Sequence, residues 1–387
     1  MSVIPGLTRL LDSRALDGQR VGLVCNPASV DAALTHASDL VFEAPGVTLA
    51  ALFGPQHGFR SDLQDNMIET PHARDAKRKV PVHSLYSETR EPTAEMLRGL
   101  DALVVDLQDV GSRIYTFVYT MANCLRAGKR HGVPVIVCDR PNPIGGTQVE
   151  GPMLEPGFES FVGQFHIPMR HGLTVGELAL LFNEAFGIGA DLTVVFADGW
   201  ARDQYFDATG SPWVIPSPNM PTLDTAIVYP GAVLFEGTQL SEGRGTTRPF
   251  ELLGAPWIDA ERFADDMNAL ALPGVRFRAA VFEPTFHKFA KQPCGAVQSH
   301  VLDLAAYRPV LSGVALLSRF YAADPSRFAW RQPPYEYEHD KMPIDILAGS
   351  PALRRHVESG TDPREIAAEW DAPVKAFMKL RAGVLRY

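Results

Sequence analysis

Short apolar runs recur along the first half of the chain, and each run is followed by polar residues and then by a stretch with helical periodicity. Continuous apolar runs of this length are typical of strands buried on both faces of a parallel sheet. Their alternation with helices predicts a doubly wound α/β domain. The predicted strands cover 20–24, 48–53, 80–84, 103–105 and 133–138, and the predicted helices cover 6–17, 31–44, 93–100 and 116–130.

The second half of the chain is less regular. Residues 174–186 have the pattern of an amphipathic helix, and Thr174 with Glu177 has the spacing of a capping box. The proline-dense stretch 213–222 is apolar, which indicates an ordered loop near a domain boundary rather than a flexible linker. We therefore predict two domains, 1–225 and an α+β domain at 226–387. The remaining predicted strands are 192–197, 277–282 and 296–301, and the remaining helices are 259–270, 307–322, 351–358 and 363–382.

Polar side chains follow every predicted strand of the first domain. Because ligands bind outside the carboxyl ends of strands in open α/β sheets, these side chains predict a site at one edge. The densest group follows the run at 103–105. An alternative for each carboxylate is that it only caps the next turn or helix. The candidates in chain order are Asn26, Gln56, His57, Arg60, Glu88, Asp106, Gln108, Asp109, Arg113, Tyr115, Arg140 and Asn142.

A second group of charged residues lies between 229 and 250. Glu236, Glu242 and Arg244 are placed there among four glycines, and glycines let the backbone approach a ligand closely. The alternative is an exposed loop held by salt bridges. We favour a site, and we add Asn219, from the proline-dense loop, as a residue of its wall.

Composition narrows the class of protein. With 387 residues, 46% hydrophobic and 21% charged, the chain resembles an ordinary soluble enzyme. Its net charge of −9 argues against a nucleic acid or an anionic membrane as partner. The four cysteines form no CxxC pair, which predicts buried thiols and neither a zinc site nor a disulfide framework. The first residues lack the basic and apolar regions of a signal peptide, so we expect a cytoplasmic protein without a membrane span.

The order of several long motifs is similar to that of a known family. The segments NPAS, LFGPQHGFR, DLQDVGSRIYT, DRPNPIGG and LFEGTQLSEGRGTTRPFELLGAPW resemble the NamZ/YbbC-like family of exo-β-N-acetylmuramidases, which are glycoside hydrolases. The resemblance runs from about residue 21 to the C-terminus. It implies a Rossmann-like N-terminal domain, a smaller α+β C-terminal domain and a site in the cleft between them. It also implies release of terminal N-acetylmuramic acid from peptidoglycan fragments, without a redox cofactor.

Glycoside hydrolysis commonly needs one carboxylic acid to protonate the leaving oxygen and a second carboxylate as base or nucleophile. We predict Glu88 with Asp106 or Asp109 in these roles, with Glu236 and Glu242 as further candidates. The lactyl carboxylate of the sugar needs a cationic partner, for which Arg60, Arg113, Arg140 and Arg244 are available. No metal is predicted, and a divalent cation held by Asp106 and Asp109 is the less favoured alternative.

One residue departs from the family pattern. The loop after the second strand usually reads GPEHG in this family, and the resemblance implies that its glutamate is the catalytic acid. Here the position is Gln56, and an amide cannot donate and regain a proton as a carboxylic acid does. Three interpretations stay open: Glu88 has taken over the acid role, the reaction or the sugar differs, or the protein binds glycan without cleaving it. His57 is a candidate general acid or a binding donor.

Overall fold

A seven-stranded sheet forms the centre of the computed structural model, which describes residues 2–64 and 68–387. Its strands lie in the order β3-β4-β2-β1-β5-β6-β9. Only β3 is antiparallel to its neighbour. The strands are β1 (Arg20–Cys25), β2 (Thr48–Gly54), β3 (Ala73–Arg74), β4 (Pro81–Ser84), β5 (Ala102–Asp106), β6 (Val135–Cys138) and β9 (Leu192–Val195), and the chain also forms β7 (Glu150–Met153) and β8 (Pro168–Arg170).

The parallel strands have the order of a Rossmann-type sheet. Numbered among themselves, they lie in the order 3-2-1-4-5-6, and the strand order reverses between β1 and β5. Strand β1 pairs with β5 from Val21 to Cys25, opposite Ala102 to Asp106. This topology confirms the predicted doubly wound α/β fold and brings the carboxyl ends of β1, β2 and β5 to one edge.

Helices cover both faces of the sheet, as the fully apolar strands require. On one face, Leu7 and Val41 pack in a buried cluster with Leu23, Leu52 and Val104. The alternate strand residues face the larger cluster on the other side. The helices are α1 (Gly6–Asp12), α2 (Ala37–Glu43), α3 (Phe117–His131), α4 (Val175–Leu180), α5 (Leu223–Ala232), α6 (Ala260–Ala269), α7 (Pro309–Ala323), α8 (Pro343–Ala348), α9 (Ala352–Ser359), α10 (Pro363–Ala368) and α11 (Asp371–Arg381).

The C-terminal region is built on a smaller antiparallel sheet. Strands β10 (Leu252–Ala255), β11 (Val275–Phe282) and β12 (Cys294–Val301) lie in the order β10-β12-β11. The largest buried cluster contains residues of both the Rossmann-like part and this region, among them Phe117 and Phe320. A common core of this kind holds the two parts against each other. A division at residues 225 and 226 stays a prediction.

Several predicted elements differ from those observed. The predicted helix at 93–100 consists of turns, and the predicted helix at 363–382 is two helices, α10 and α11. Helix α5 was not predicted, because it contains Pro230, which commonly breaks helices. The predicted capping box of α4 is confirmed: Thr174 Oγ1 accepts from the backbone N–H of Glu177, and Glu177 Oε2 accepts from that of Thr174.

Candidate active site

A pocket that is partly open to solvent lies beyond the carboxyl edge of the large sheet. Loops after β2 and β5 form one wall, and residues of the C-terminal region form the other. The polar lining residues are Gln56, His57, Tyr115, Thr116, Ser217, Asn219, Tyr229, Glu236, Arg244, Tyr335 and Glu336.

Gln56 is fixed in one orientation by its neighbours. Its Oε1 accepts from Thr116 Oγ1 at 2.8 Å, which leaves the amide nitrogen as a donor. That nitrogen lies 3.3 Å from Tyr86 Oη and 3.4 Å from Glu336 Oε1. The side chain therefore connects the sheet-edge wall of the pocket with the C-terminal wall.

His57 is a neutral hydrogen-bonding group in this pocket. Burial lowers the pKa of its imidazole to about 4, and Nδ1 donates to the carbonyl oxygen of Leu63 at 2.7 Å. Nε2 then carries no proton and is an acceptor. The general-acid role considered for His57 does not fit this state, and the ring can instead accept from a hydroxyl or amide N–H of a ligand.

Glu236 lies on the C-terminal wall in a strongly hydrogen-bonded position. Its Oε1 accepts from Arg244 Nη2 at 2.7 Å, and its Oε2 accepts from Tyr335 Oη at 2.7 Å. Arg244 also lies 3.3 Å from Glu242 Oε1 through its Nε. A cation and a hydroxyl donor therefore fix the Glu236 carboxylate in the wall of the pocket.

Glu336 is the second carboxyl group of the pocket, and its surroundings are different. Burial raises the pKa of Glu336 to about 7, and the negative charge of Glu236 adds to the effect. Its Oε2 accepts from Tyr86 Oη at 3.0 Å. A carboxyl group with a raised pKa beside a second carboxyl group held by a cation is an arrangement that suits acid catalysis.

Six of the predicted site residues line the pocket, and ten do not. Those in the lining are Gln56, His57, Tyr115, Asn219, Glu236 and Arg244. Asp106 is fully buried outside it, and both of its oxygens accept from the Arg140 guanidinium, at 2.6 and 2.8 Å. This ion pair lies behind the pocket and does not support the catalytic role predicted for Asp106 or the binding role predicted for Arg140, which stay predictions.

Other predicted residues at the sheet edge hold the backbone in place. Asp109 accepts from the backbone N–H of Gly111 at 2.7 Å. Arg113 is fully buried and donates to three backbone carbonyls, those of Pro152, Ile167 and Leu347. These bonds fix loops around the pocket and leave the side chains no exposed face for a substrate. The same holds for the amides of Asn26, Gln108 and Asn142, which donate to backbone carbonyls.

The remaining three candidates do not line this pocket, although Glu88 lines an open cleft beside it. Glu88 is 69% exposed in its side chain and bonds His72 at 2.7 Å, and hydrogen bonds from Ser87, its own backbone and His72 lower its pKa to about 2. An exposed carboxylate of this kind holds no proton at neutral pH, so it does not suit a general acid. Arg60 is exposed. Glu242 is buried behind Arg244, where Lys288, His287 and Arg244 outweigh burial and lower its pKa.

Glu336 and Tyr335 were missed in the sequence. They lie in the stretch 329–345, whose prolines and tyrosines predict a loop. A glutamate between two tyrosines, as in Tyr335-Glu336-Tyr337, was the available signal, because aromatic neighbours favour burial of a carboxyl group.

Within residues 2–64 and 68–387, no three His, Cys, Asp or Glu side chains converge as ligands for a metal ion. In the same part of the chain, no helix is both long and apolar enough to cross a bilayer.

The fold and the pocket define a two-part α/β protein with a pair of unlike carboxyl groups in a buried cleft. Models of the N-terminal and C-terminal parts of exo-β-N-acetylmuramidase NamZ match residues 21–224 and 227–387. The chain belongs to this family. It is 45% identical over 374 residues to the peptidoglycan β-N-acetylmuramidase NamZ of Bacillus subtilis, covering 97% of this chain and 88% of that protein.

Two solved structures share the whole fold. Both are DUF1343 family proteins of Bacteroides fragilis. One is 35% identical with a TM-score of 0.89, and the other is 27% identical with a TM-score of 0.77. Each comparison covers 100% of this chain and 99% of the solved one.

Proposed function

We propose that this protein is an exo-acting glycoside hydrolase that releases terminal N-acetylmuramic acid from peptidoglycan fragments. The observation that carries the proposal is the pair Glu236 and Glu336 in one pocket, one carboxyl group bound to a cation and the other with a raised pKa. Family membership and the identity to the Bacillus subtilis enzyme support the same reaction.

Glu336 acts as the general acid in this proposal. Its carboxyl group holds a proton near neutral pH and gives it to the glycosidic oxygen as the bond to the leaving sugar breaks. A water molecule then adds to the anomeric carbon, and its released proton returns to the Glu336 carboxylate. Glu236 supplies the negative charge that the developing oxocarbenium ion needs. Arg244 and Tyr335 hold Glu236 in position.

Gln56 positions the acid and does not replace it. Its amide N–H lies 3.4 Å from Glu336 Oε1, so a carboxyl group lies within reach of the place where the family pattern has a glutamate. The Gln56 amide donates toward Oε1 of Glu336 and so favours that oxygen as an acceptor. The proton that Glu336 transfers is therefore not carried by Oε1. Neutral His57 accepts from a sugar hydroxyl or the acetamido N–H.

The setting of the reaction is part of the same proposal. We propose that the protein acts in the cytoplasm on fragments recycled from the cell wall. All four cysteines are buried and unpaired, which suits a reducing compartment. Cell fractionation with an antibody against the protein tests this, and recovery outside the cytoplasm would contradict it.

The test of the function uses peptide-free glycan chains of alternating N-acetylglucosamine and N-acetylmuramic acid. The wild type should release one N-acetylmuramic acid from each chain that ends in that sugar and stop at the N-acetylglucosamine that this exposes, without internal cleavage. Gln56→Glu is measured alongside. A wild type that binds the chains without cleaving them, together with activity gained by Gln56→Glu, would identify a glycan-binding relative and overturn the proposal.

A further inference from the structure

A second, open cleft adjoins the pocket on its outer side. Its lining includes Arg90, Phe161, Tyr337 and Glu336. Within the described residues, Glu336 is the one residue that lines both cavities. The carboxyl group therefore lies at the boundary between a buried pocket and an open cleft.

The outer cleft is built from aromatic rings around a fixed cation. The Arg90 guanidinium carbon lies 4.3 Å from the centre of the Tyr86 ring and 4.4 Å from that of Tyr337. Arg90 also pairs with Glu69 at 3.4 Å. Tyr337 is 45% exposed, so part of its ring is available to a ligand. Aromatic surface beside charged hydrogen-bonding groups suits a sugar ring, which has apolar C–H faces and polar edges.

A tight turn delivers consecutive side chains to the two cavities. The backbones of Tyr335 and Glu338 exchange two hydrogen bonds of 2.9 Å. Between them, Glu336 and Tyr337 have φ of 45° and 69°, a region that residues other than glycine rarely occupy. Strained backbone of this kind persists where the surrounding structure holds it and is concentrated at functional sites.

We propose that the outer cleft binds the leaving-group sugar, with Tyr337 as its stacking platform, while the buried pocket holds the terminal sugar. The inference rests on the proposed function. A general acid must reach the oxygen that joins the two sugars, so it belongs at the boundary between their sites, which is where Glu336 lies. Tyr337 then contributes binding of the leaving sugar that is equal in the ground state and the transition state.

The test compares two substrates that share N-acetylmuramic acid but differ in the leaving group. One is the disaccharide with N-acetylglucosamine, and the other is the β-fluoride, whose leaving atom is too small to fill the cleft. For Tyr337→Ala we expect kcat/KM on the disaccharide to fall about tenfold through a higher KM. The kcat and its pH dependence stay, and turnover of the fluoride stays at the wild-type value. Tyr337→Phe keeps the ring and should retain wild-type kinetics.

Phe42→Ala is the matched control, because Phe42 is a similarly exposed aromatic residue, 43% accessible, on α2. Equal losses on the two substrates, a lower kcat at unchanged KM, or no effect of Tyr337→Ala would overturn the inference. A wild type that releases N-acetylmuramic acid from neither substrate would instead contradict the proposed function itself.

Discussion

The end of β5 with the loop that follows it, and the turn at 335–338, both carry carboxyl groups, but their surroundings differ. At the end of β5, Asp106 is bound at both oxygens by Arg140, and in the loop Asp109 accepts from the backbone. At the turn, Glu336 faces another carboxylate, and burial raises its pKa to about 7. Carboxylates bound in the first of these ways hold the edge of the fold in place. A desolvated carboxyl group next to a like charge can exchange a proton near neutral pH.

The largest expected effect on catalysis is at Glu336. We expect Glu336→Gln to lower kcat on the disaccharide by about 10²–10⁴-fold, because the proton donor is lost. Steady-state kinetics measure the effect. Glu365→Gln, the same substitution at an exposed position of α10, should keep wild-type kinetics. A Glu336→Gln enzyme that also keeps wild-type kcat would show that the turn carries no chemistry.

At Asp106 we expect a loss of stability rather than a loss of catalytic rate. Asp106→Asn leaves the Arg140 cation buried without its counter-charge, which costs about 3–5 kcal/mol of unfolding free energy. Chemical denaturation followed by circular dichroism measures it. Asp340→Asn changes an exposed aspartate and should stay within about 0.5 kcal/mol of wild type. An Asp106→Asn protein of wild-type stability would mean that the ion pair does not hold the edge.

The pH dependence of kcat/KM tests the assignment of Glu336 as the acid. The free enzyme needs Glu336 protonated, and its pKa is raised to about 7. Therefore kcat/KM should be retained below that pH and fall about tenfold per unit above it. The profile is recorded from pH 5 to 9 on the disaccharide. Activity that rises through pH 8 would contradict the assignment of the acid.

The smallest effect is expected at Glu88. This side chain is exposed and bonded to His72, so Glu88→Gln should change kcat on the disaccharide by less than about threefold. The assay is the one used for Glu336→Gln, which gives a direct comparison. A loss at Glu88 as large as that at Glu336 would restore the role that the sequence indicates for it.

The strands of the Rossmann-like part could be predicted from the sequence because their apolar runs reflect burial directly. The run at 20–24 became β1, Arg20–Cys25, and the run at 48–53 became β2, Thr48–Gly54. Of the polar residues that follow the predicted strands, Gln56, His57 and Tyr115 line the pocket. What the sequence could not show is which polar groups are already satisfied. The pairing of Asp106 with Arg140, and of Glu236 with Arg244, is a property of the folded chain.

Glu336 is a site residue that the sequence alone could not identify. Its burial and its nearness to Gln56 and Glu236 arise from contacts between parts of the chain that are far apart in sequence. A local pattern contains no record of such contacts, so the stretch 329–345 was interpreted only as a loop.

The most direct test of the account is the dependence of Glu336→Gln on the leaving group. A dinitrophenyl glycoside of N-acetylmuramic acid leaves as a stable anion and needs no protonation, whereas the disaccharide does. We predict that Glu336→Gln keeps most of the wild-type rate on the dinitrophenyl glycoside and loses about 10²–10⁴-fold on the disaccharide. Equal losses on both substrates would contradict the role of Glu336 as the proton donor.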